Sequence, residues 1–121
     1  SERYKPPTVV ELNLQQSPAI EVIKAFHKTA ANYAVIKVES VENQMLFDEY
    51  LTAKEKLIKL VGADKVNERQ LFHGTKSEPV MKLVQKEGFR KEFNKTALYG
   101  EGTYFARDAQ YSVSYACKNL N

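Results

Sequence analysis

The spacing of apolar residues along the chain predicts four helices. Residues 18–30 carry apolar side chains on one helical face, and the Ser17-Pro18 pair suits a helix start, with the serine as cap. Residues 43–61 carry a longer apolar stripe that stops at a glycine, which suits a helix end. Shorter helices are predicted over 79–86 and over 109–117, the last of them capped by the aspartate before it.

Four stretches rich in β-branched and aromatic residues are predicted as strands. They cover residues 8–14, 33–41, 69–73 and 103–106, and 33–41 has the strongest β pattern. Residues 89–99 show little periodicity, so we expect a loop there. The predicted elements therefore follow one another in the order β-α-β-α-β-α-loop-β-α.

This order of elements would allow a doubly wound parallel sheet. However, the Gly-x-Gly pattern formed by Gly100 and Gly102 precedes a predicted strand. A dinucleotide-binding fingerprint would instead follow a strand and open a helix. The position of the glycines therefore argues against a Rossmann fold.

The composition is that of an ordinary globular domain of 121 residues, with 43% hydrophobic and 27% charged residues. The net charge is +3, and the basic residues do not form a clustered run in the sequence. We therefore expect no nucleic-acid partner. The lone Cys117 cannot form an internal disulfide, and with only two histidines beside it we expect no bound metal. No apolar stretch is long enough for a transmembrane helix, and nothing resembles a signal peptide. We therefore expect an intracellular protein, nuclear or cytoplasmic.

Residues 71–75 place three kinds of polar group side by side at the end of a predicted strand. The His73 imidazole can donate or accept a hydrogen bond. Gly74 lets a flat ligand approach its backbone closely, and Thr75 adds a hydroxyl. A lone histidine beside a turn more often has a structural role, so this segment alone does not define a site.

Residues 99–116 form a second candidate segment, with aromatic rings and a serine. Tyr104 lies on a predicted strand, and Ser112 and Tyr115 share one face of the last predicted helix. Two phenol rings and a hydroxyl can hold an aromatic amide by stacking and hydrogen bonding. The same aromatic residues could instead belong to the core, and the segment alone leaves both interpretations open.

Together and in this order, the two segments resemble the catalytic domain of the PARP-type (diphtheria-toxin-like) ADP-ribosyltransferases. Residues 71–75, 99–106, Ser112 and Tyr115 carry the similarity, and residues 36–50 resemble the family's strand-to-helix segment before the site. The similarity covers nearly the whole chain and is greatest to the mono-ADP-ribosylating subgroup. It implies an α+β fold with an ADP-ribosyltransferase-like split antiparallel β-sheet core and flanking helices.

The resemblance implies a cleft for NAD⁺, which is the ADP-ribose donor, and no metal. His73 matches the motif histidine that hydrogen-bonds the ribose on the adenosine side, and it is a candidate catalytic residue. The Gly74 backbone would pair with the nicotinamide carboxamide. Thr75 matches a hydroxyl residue near the ribose.

The second segment would hold the nicotinamide half of NAD⁺. Tyr104 matches the motif tyrosine that packs against this half, and it is the other candidate catalytic residue. Ser112 would bond the carboxamide oxygen, and Tyr115 would stack on the nicotinamide ring. The loop at 89–99 matches the donor loop that covers NAD⁺.

The implied activity is transfer of ADP-ribose, as a single unit, to a protein side chain with release of nicotinamide. A catalytically inactive NAD⁺ or ADP-ribose-binding module is the alternative. The family's third motif position lies on a strand well beyond Tyr115, so we expect residues 1–121 to form an incomplete catalytic domain, truncated at its C-terminus. Missing strands would leave sheet edges open, and we therefore also expect self-association.

Overall fold

The computed structural model describes residues 4–89 and 105–116. In chain order, the elements within these ranges are β1 (Thr8–Glu11), α1 (Ala19–His27), β2 (Glu39–Glu42), α2 (Gln44–Val61), a 3₁₀ turn (Ala63–Lys65), α3 (Glu78–Glu87) and α4 (Ala109–Ala116). The described residues contain four α-helices and one antiparallel pair of strands, which agrees with the predicted α+β class. Of the loop predicted over 89–99, the structure describes only Phe89. The rest of that loop, the glycine pair, Tyr104 and Cys117 lie outside the described residues.

Strands β1 and β2 pair in antiparallel fashion, with Val9 opposite Val41. One further hydrogen bond, from the Leu12 N–H to the Val38 carbonyl at 2.9 Å, extends the pairing beyond the strands. The prediction of a strand over 33–41 is therefore wrong for most of its length. β1 leads into a turn after Leu12, so the earlier part of that segment has no strand beside it among the described residues. A β-rich sequence forms a strand only where a partner completes its hydrogen bonds.

The helices lie close to their predicted positions. α2 and α3 agree with the predicted ranges to within one residue at each end, and each is followed by a glycine with positive φ, Gly62 at 89° and Gly88 at 78°. α1 stops at His27, three residues before its predicted end, and continues as a turn to Ala30. α4 begins at Ala109, as predicted.

The start of α1 differs from its prediction. Pro18 occupies the N-cap position, and no side chain caps the helix there. The Ser17 hydroxyl instead donates to the Glu21 carboxylate at 2.7 Å. This hydrogen bond lowers the pKa of Glu21, because it favours the ionised carboxylate.

The side chain of Asn43 joins α2 to α3. Its Oδ1 accepts a hydrogen bond from the Leu46 N–H at 3.1 Å and so caps the start of α2. Its Nδ2 donates to the carbonyls of Gln85 and Lys86, at 3.0 Å each, in the last turn of α3. A helix leaves its first N–H and last C=O groups unpaired, so this one amide satisfies groups at the ends of two helices.

The apolar stripe predicted on α2 is present but largely uncovered. Five of its residues remain 40–54% exposed: Phe47, Tyr50, Leu51, Leu57 and Val61. None of the helices in the described ranges has the length and apolar character to cross a membrane.

The buried core lies instead where α1 meets α4. Ala30 and Ala109 are fully buried and Val113 is 8% exposed, and the rings of Phe26 and Phe72 pack against these three residues. The two rings meet edge to face, with centroids 6.4 Å apart. The small alanines let the backbones approach closely, so this core fixes the position of α4.

We predict that Asn43→Ala lowers the free energy of unfolding by about 2–3 kcal/mol, because three hydrogen bonds at two helix ends are lost. Asn43→Asp keeps the acceptor for Leu46, but it turns a carboxylate oxygen toward the carbonyls of Gln85 and Lys86, so it is also expected to be destabilising. Both values are measured by urea denaturation of the full chain. Asn13→Ala is the matched control, because Asn13 accepts a single exposed hydrogen bond, from the Gln15 N–H. If Asn43→Ala and Asn13→Ala lower the free energy of unfolding equally, the Asn43 side chain does not join α2 to α3.

Candidate functional site

An antiparallel bridge brings the two candidate segments together. Phe72 and Ala106 exchange both backbone hydrogen bonds, at 2.7 and 2.8 Å. The strands predicted over 69–73 and 103–106 meet here, although the described part of this pairing is a single bridge rather than a ladder. The bridge places the residues that follow Phe72 beside those that precede α4.

The His73 ring lies in an aromatic cluster formed by His73, Phe89 and Phe105. The imidazole centroid is 5.0 Å from that of Phe89 and 5.4 Å from that of Phe105, and the two phenyl rings are 4.8 Å apart. The tilted and edge-on geometries are those that aromatic rings prefer. All three side chains are exposed, so the cluster holds the imidazole in place at a surface that a ligand can reach.

The backbone of Gly74 lies against the backbone of Ser112 in α4. A Cβ atom at residue 74 would overlap the Ser112 carbonyl oxygen and lie 2.7 Å from its carbonyl carbon. No side chain fits in that space, because both neighbouring atoms belong to the backbone of a helix. Glycine is therefore required at this position for α4 to pack where it does.

Ser112 is itself buried, at 8% exposure. Among residues 4–89 and 105–116, no group forms a hydrogen bond with its hydroxyl. Buried hydroxyls usually have a partner. The Ser112 hydroxyl is thus a buried polar group without a hydrogen-bond partner among the described residues, in the residue whose backbone contacts Gly74.

The hydroxyl of Thr75 accepts a hydrogen bond from the Ser77 N–H at 3.2 Å, just before α3. Ser77 in turn caps α3 through its own hydroxyl, which accepts from the Val80 N–H at 3.3 Å. A hydroxyl that accepts one bond can still donate its proton. Thr75 thus links the segment after His73 to the start of α3, and its hydroxyl can still donate a hydrogen bond.

Tyr115 lies one turn after Ser112 and pairs with Tyr111. The two phenol oxygens are 3.1 Å apart and the ring centroids 5.5 Å apart. This hydrogen bond, followed by the charge of Tyr115, raises the pKa of the Tyr111 phenol above its ordinary value. Both rings are exposed, so the Tyr115 ring is open to stacking while its hydroxyl is held.

The structure therefore brings His73, Gly74 and Ser112 to one place, with Tyr115 on the same helix as Ser112. Tyr104 lies outside the described residues, and its predicted role stays a prediction; its neighbour Phe105 belongs to the aromatic cluster. Sequence reasoning placed no role on Phe89 in this cluster. The sequence did place this phenylalanine directly after the glycine that ends α3, where the chain leaves the helix.

A separate groove of about 390 Å³ lies between the N-terminal segment, β2 and the start of α2. Val41, Asn43 and Phe47 line it, and none of the predicted site residues does. In the described ranges, no three His, Cys, Asp or Glu side chains converge in a way that could hold a metal ion.

A His-Gly-Thr segment packed on a helix that carries serine and tyrosine, within an α+β fold, defines a domain of the ADP-ribosyltransferase class. Comparison with known families agrees, because residues 19–121 match the model of the poly(ADP-ribose) polymerase catalytic domain. The chain belongs to this family.

Individual relatives carry names of the same kind. The mouse protein named "Protein mono-ADP-ribosyltransferase PARP11" is 35% identical over 115 residues, which is 94% of this chain and 34% of that protein. Human "Protein mono-ADP-ribosyltransferase PARP14" is 36% identical over 88% of this chain and 6% of its own length. Mouse "Protein mono-ADP-ribosyltransferase PARP12" is 38% identical over 79% of this chain and 14% of its own length. The chain thus spans about a third or less of these relatives.

We predict that Gly74→Ala separates α4 from the His73 segment, because the added methyl group overlaps the backbone of Ser112. Overpacking of this kind costs about 1–3 kcal/mol. Hydrogen exchange of the peptide that contains residues 109–116, followed by mass spectrometry, is expected to become faster.

Gly62→Ala is the control for this prediction, because it also strains the fold, through a positive φ at the end of α2. It is expected to lower stability without changing exchange in α4 selectively. Unchanged exchange of residues 109–116 in Gly74→Ala would show that the close contact does not hold the helix.

Proposed function

We propose that this chain belongs to the catalytic domain of an NAD⁺-dependent ADP-ribosyltransferase. The enzyme transfers a single ADP-ribose to a protein side chain and releases nicotinamide. Membership of the poly(ADP-ribose) polymerase catalytic domain family supports the reaction class. The names of the relatives from mouse and human support transfer of one unit rather than a polymer. The acceptor is a protein, and NAD⁺ is the donor substrate.

The contact between Gly74 and Ser112 is the observation that carries the proposal. A carboxamide offers one carbonyl acceptor and one NH₂ donor, and it needs complementary groups side by side. The Gly74 backbone has an N–H and a C=O, and Ser112, whose backbone contacts Gly74, carries a hydroxyl. Residues 38 positions apart in the chain thus meet, and these three polar groups would bind the carboxamide of a flat pyridine ring.

The position of His73 fits the other half of the donor. The imidazole stands at an exposed edge of the aromatic cluster, directly before Gly74 in the chain. A ribose hydroxyl can therefore reach His73 while the nicotinamide lies at Gly74, so NAD⁺ would run along residues 73–75. Tyr104 and Tyr115 would supply the aromatic walls, as the family resemblance implies.

The chemistry follows from where the charge moves. The bond between the ribose C1′ and the pyridinium nitrogen breaks, and its electron pair neutralises the ring, which leaves as nicotinamide. The acceptor's nucleophilic oxygen or nitrogen then bonds to C1′ of the oxocarbenium-like ribose, and any proton that this atom carried passes to solvent. Each neutral hydrogen bond contributes about 0.5–1.5 kcal/mol to binding. Contacts that orient the amide raise the rate only where they favour the departing ring over bound NAD⁺.

We predict that His73→Ala and Tyr104→Ala each lower nicotinamide release from NAD⁺ by about tenfold or more, because each removes a contact that orients the donor. Release is measured by chromatography with the full-length protein. His27→Ala is the matched control. His27, the last residue of α1, donates to the Tyr33 carbonyl at 2.7 Å, and its ring lies beside that of Phe26 rather than a proposed site residue. Turnover of this variant per folded molecule is expected to stay at the wild-type level. Unchanged turnover in both site variants would remove these residues from the mechanism.

Calorimetry with benzamide, a nicotinamide-like ligand, separates an enzyme from a binding module. Tyr115→Ala is expected to weaken benzamide binding, because the exposed ring is lost as a stacking surface. If the full-length wild-type protein binds benzamide tightly but releases no nicotinamide, the protein is a catalytically inactive NAD⁺-binding module and not a transferase.

Self-association and an intracellular location stay predictions. Exposed valines on both strands, Val9 and Val10 on β1 and Val41 on β2, support self-association, since sheet edges and apolar faces favour pairing. We predict a molar mass above that of one chain in light scattering, rising with concentration. A strictly monomeric species at high concentration would contradict it.

A further inference from the structure

A hydrogen bond anchors the start of α4 to a residue that no motif pointed to. The Ala109 N–H donates to the Thr29 hydroxyl at 2.7 Å, across 80 residues of sequence. Thr29 follows the end of α1, and Ala109 is the first residue of α4. We propose that Thr29 is a positioning residue, which fixes α4 so that its serine and tyrosine meet the Gly74 segment. This inference rests on the proposed function of that site.

Helix α4 needs an anchor because it has only eight residues. Helices this short are not stable by themselves in water, and tertiary contacts determine where they lie. The N–H groups of the first turn have no partner within a helix. Since Ala109 is fully buried, its N–H would be left without an acceptor if Thr29 did not provide one.

The acceptor is itself held rigidly. The Phe26 carbonyl accepts from the N–H groups of both Thr29 and Ala30, at 3.3 and 3.0 Å. Ala30 is fully buried in the same core cluster as Ala109 and Val113. The Thr29 hydroxyl therefore projects from a turn whose backbone is fixed by hydrogen bonds and by packing.

The anchor lies close to the site along the helix. Ser112 is three residues after Ala109, so it lies about one turn further on, and its carbonyl oxygen contacts Gly74. Because that contact leaves no room for even a methyl group, a small movement of the first turn changes where Ser112 and Tyr115 lie relative to Gly74. Thr29 thus acts on the ligand through α4 and does not touch it.

Thr29→Val and Thr29→Ser test this inference. Valine has nearly the same shape but no acceptor, and serine keeps the hydroxyl. In Thr29→Val we expect the Ala109 amide to exchange with solvent about tenfold faster or more by NMR, and the KM for NAD⁺ to rise by about three- to tenfold with kcat within about twofold per folded molecule. Thr29→Ser is expected to restore both. A purely structural role would reduce the folded fraction and leave KM unchanged.

Thr52→Val is the matched control, because it makes the same chemical change at an exposed position on α2, and neither readout is expected to move. Unchanged exchange of the Ala109 amide in Thr29→Val would overturn the anchor. Faster exchange of the Ala109 amide with an unchanged KM would overturn the positioning role, because Thr29 would then only cap the start of α4. Absence of nicotinamide release by the wild-type protein would instead refute the proposed function, and amide exchange would still decide whether Thr29 holds α4.

Discussion

The close approach of the Gly74 backbone to the Ser112 carbonyl is the constraint on which the site depends. It brings two segments that are distant in sequence into direct contact, with no side chain between them. A rotation or shift of α4 that lost this contact would separate the polar groups of the two segments. The Phe72–Ala106 bridge and the core around Ala109 are arranged so that the approach is maintained.

Several weak features hold α4, and none would suffice alone. The backbone bridge fixes the chain that enters the helix, the small buried core fixes one of its faces, and the Thr29 hydroxyl fixes its first N–H. Each hydrogen bond contributes about 0.5–1.5 kcal/mol, which is small compared with the cost of ordering eight residues. Since the three contacts come from different parts of the chain, together they define both the position and the rotation of the helix.

Local sequence patterns predicted what local interactions determine. α2 and α3 were predicted to within a residue, because Asn43, Ser77 and the glycines that follow these helices act over three or four positions. The strand over 33–41 was predicted too long, since its β-branched residues need a partner that a local pattern does not supply. Contacts between residues 16 to 80 positions apart were not predicted, because no spacing rule encodes them. They are the hydrogen bonds from Asn43 to α3, the bond from Ala109 to Thr29, and the packing of Phe89 on His73.

Motif order did indicate that Gly74 and Ser112 belong to one site, and their backbones are in contact although they are 38 positions apart in the chain. What the motif does not contain is the difference between the two ends of the site. Ser112 is buried and its backbone packs closely against that of Gly74, whereas His73 lies in an exposed aromatic cluster. Under the proposed function, this difference assigns the rigid end to the departing nicotinamide, whose orientation determines whether its bond to ribose can break. The open end would then accommodate the rest of NAD⁺ with looser geometric demands, because no bond changes there.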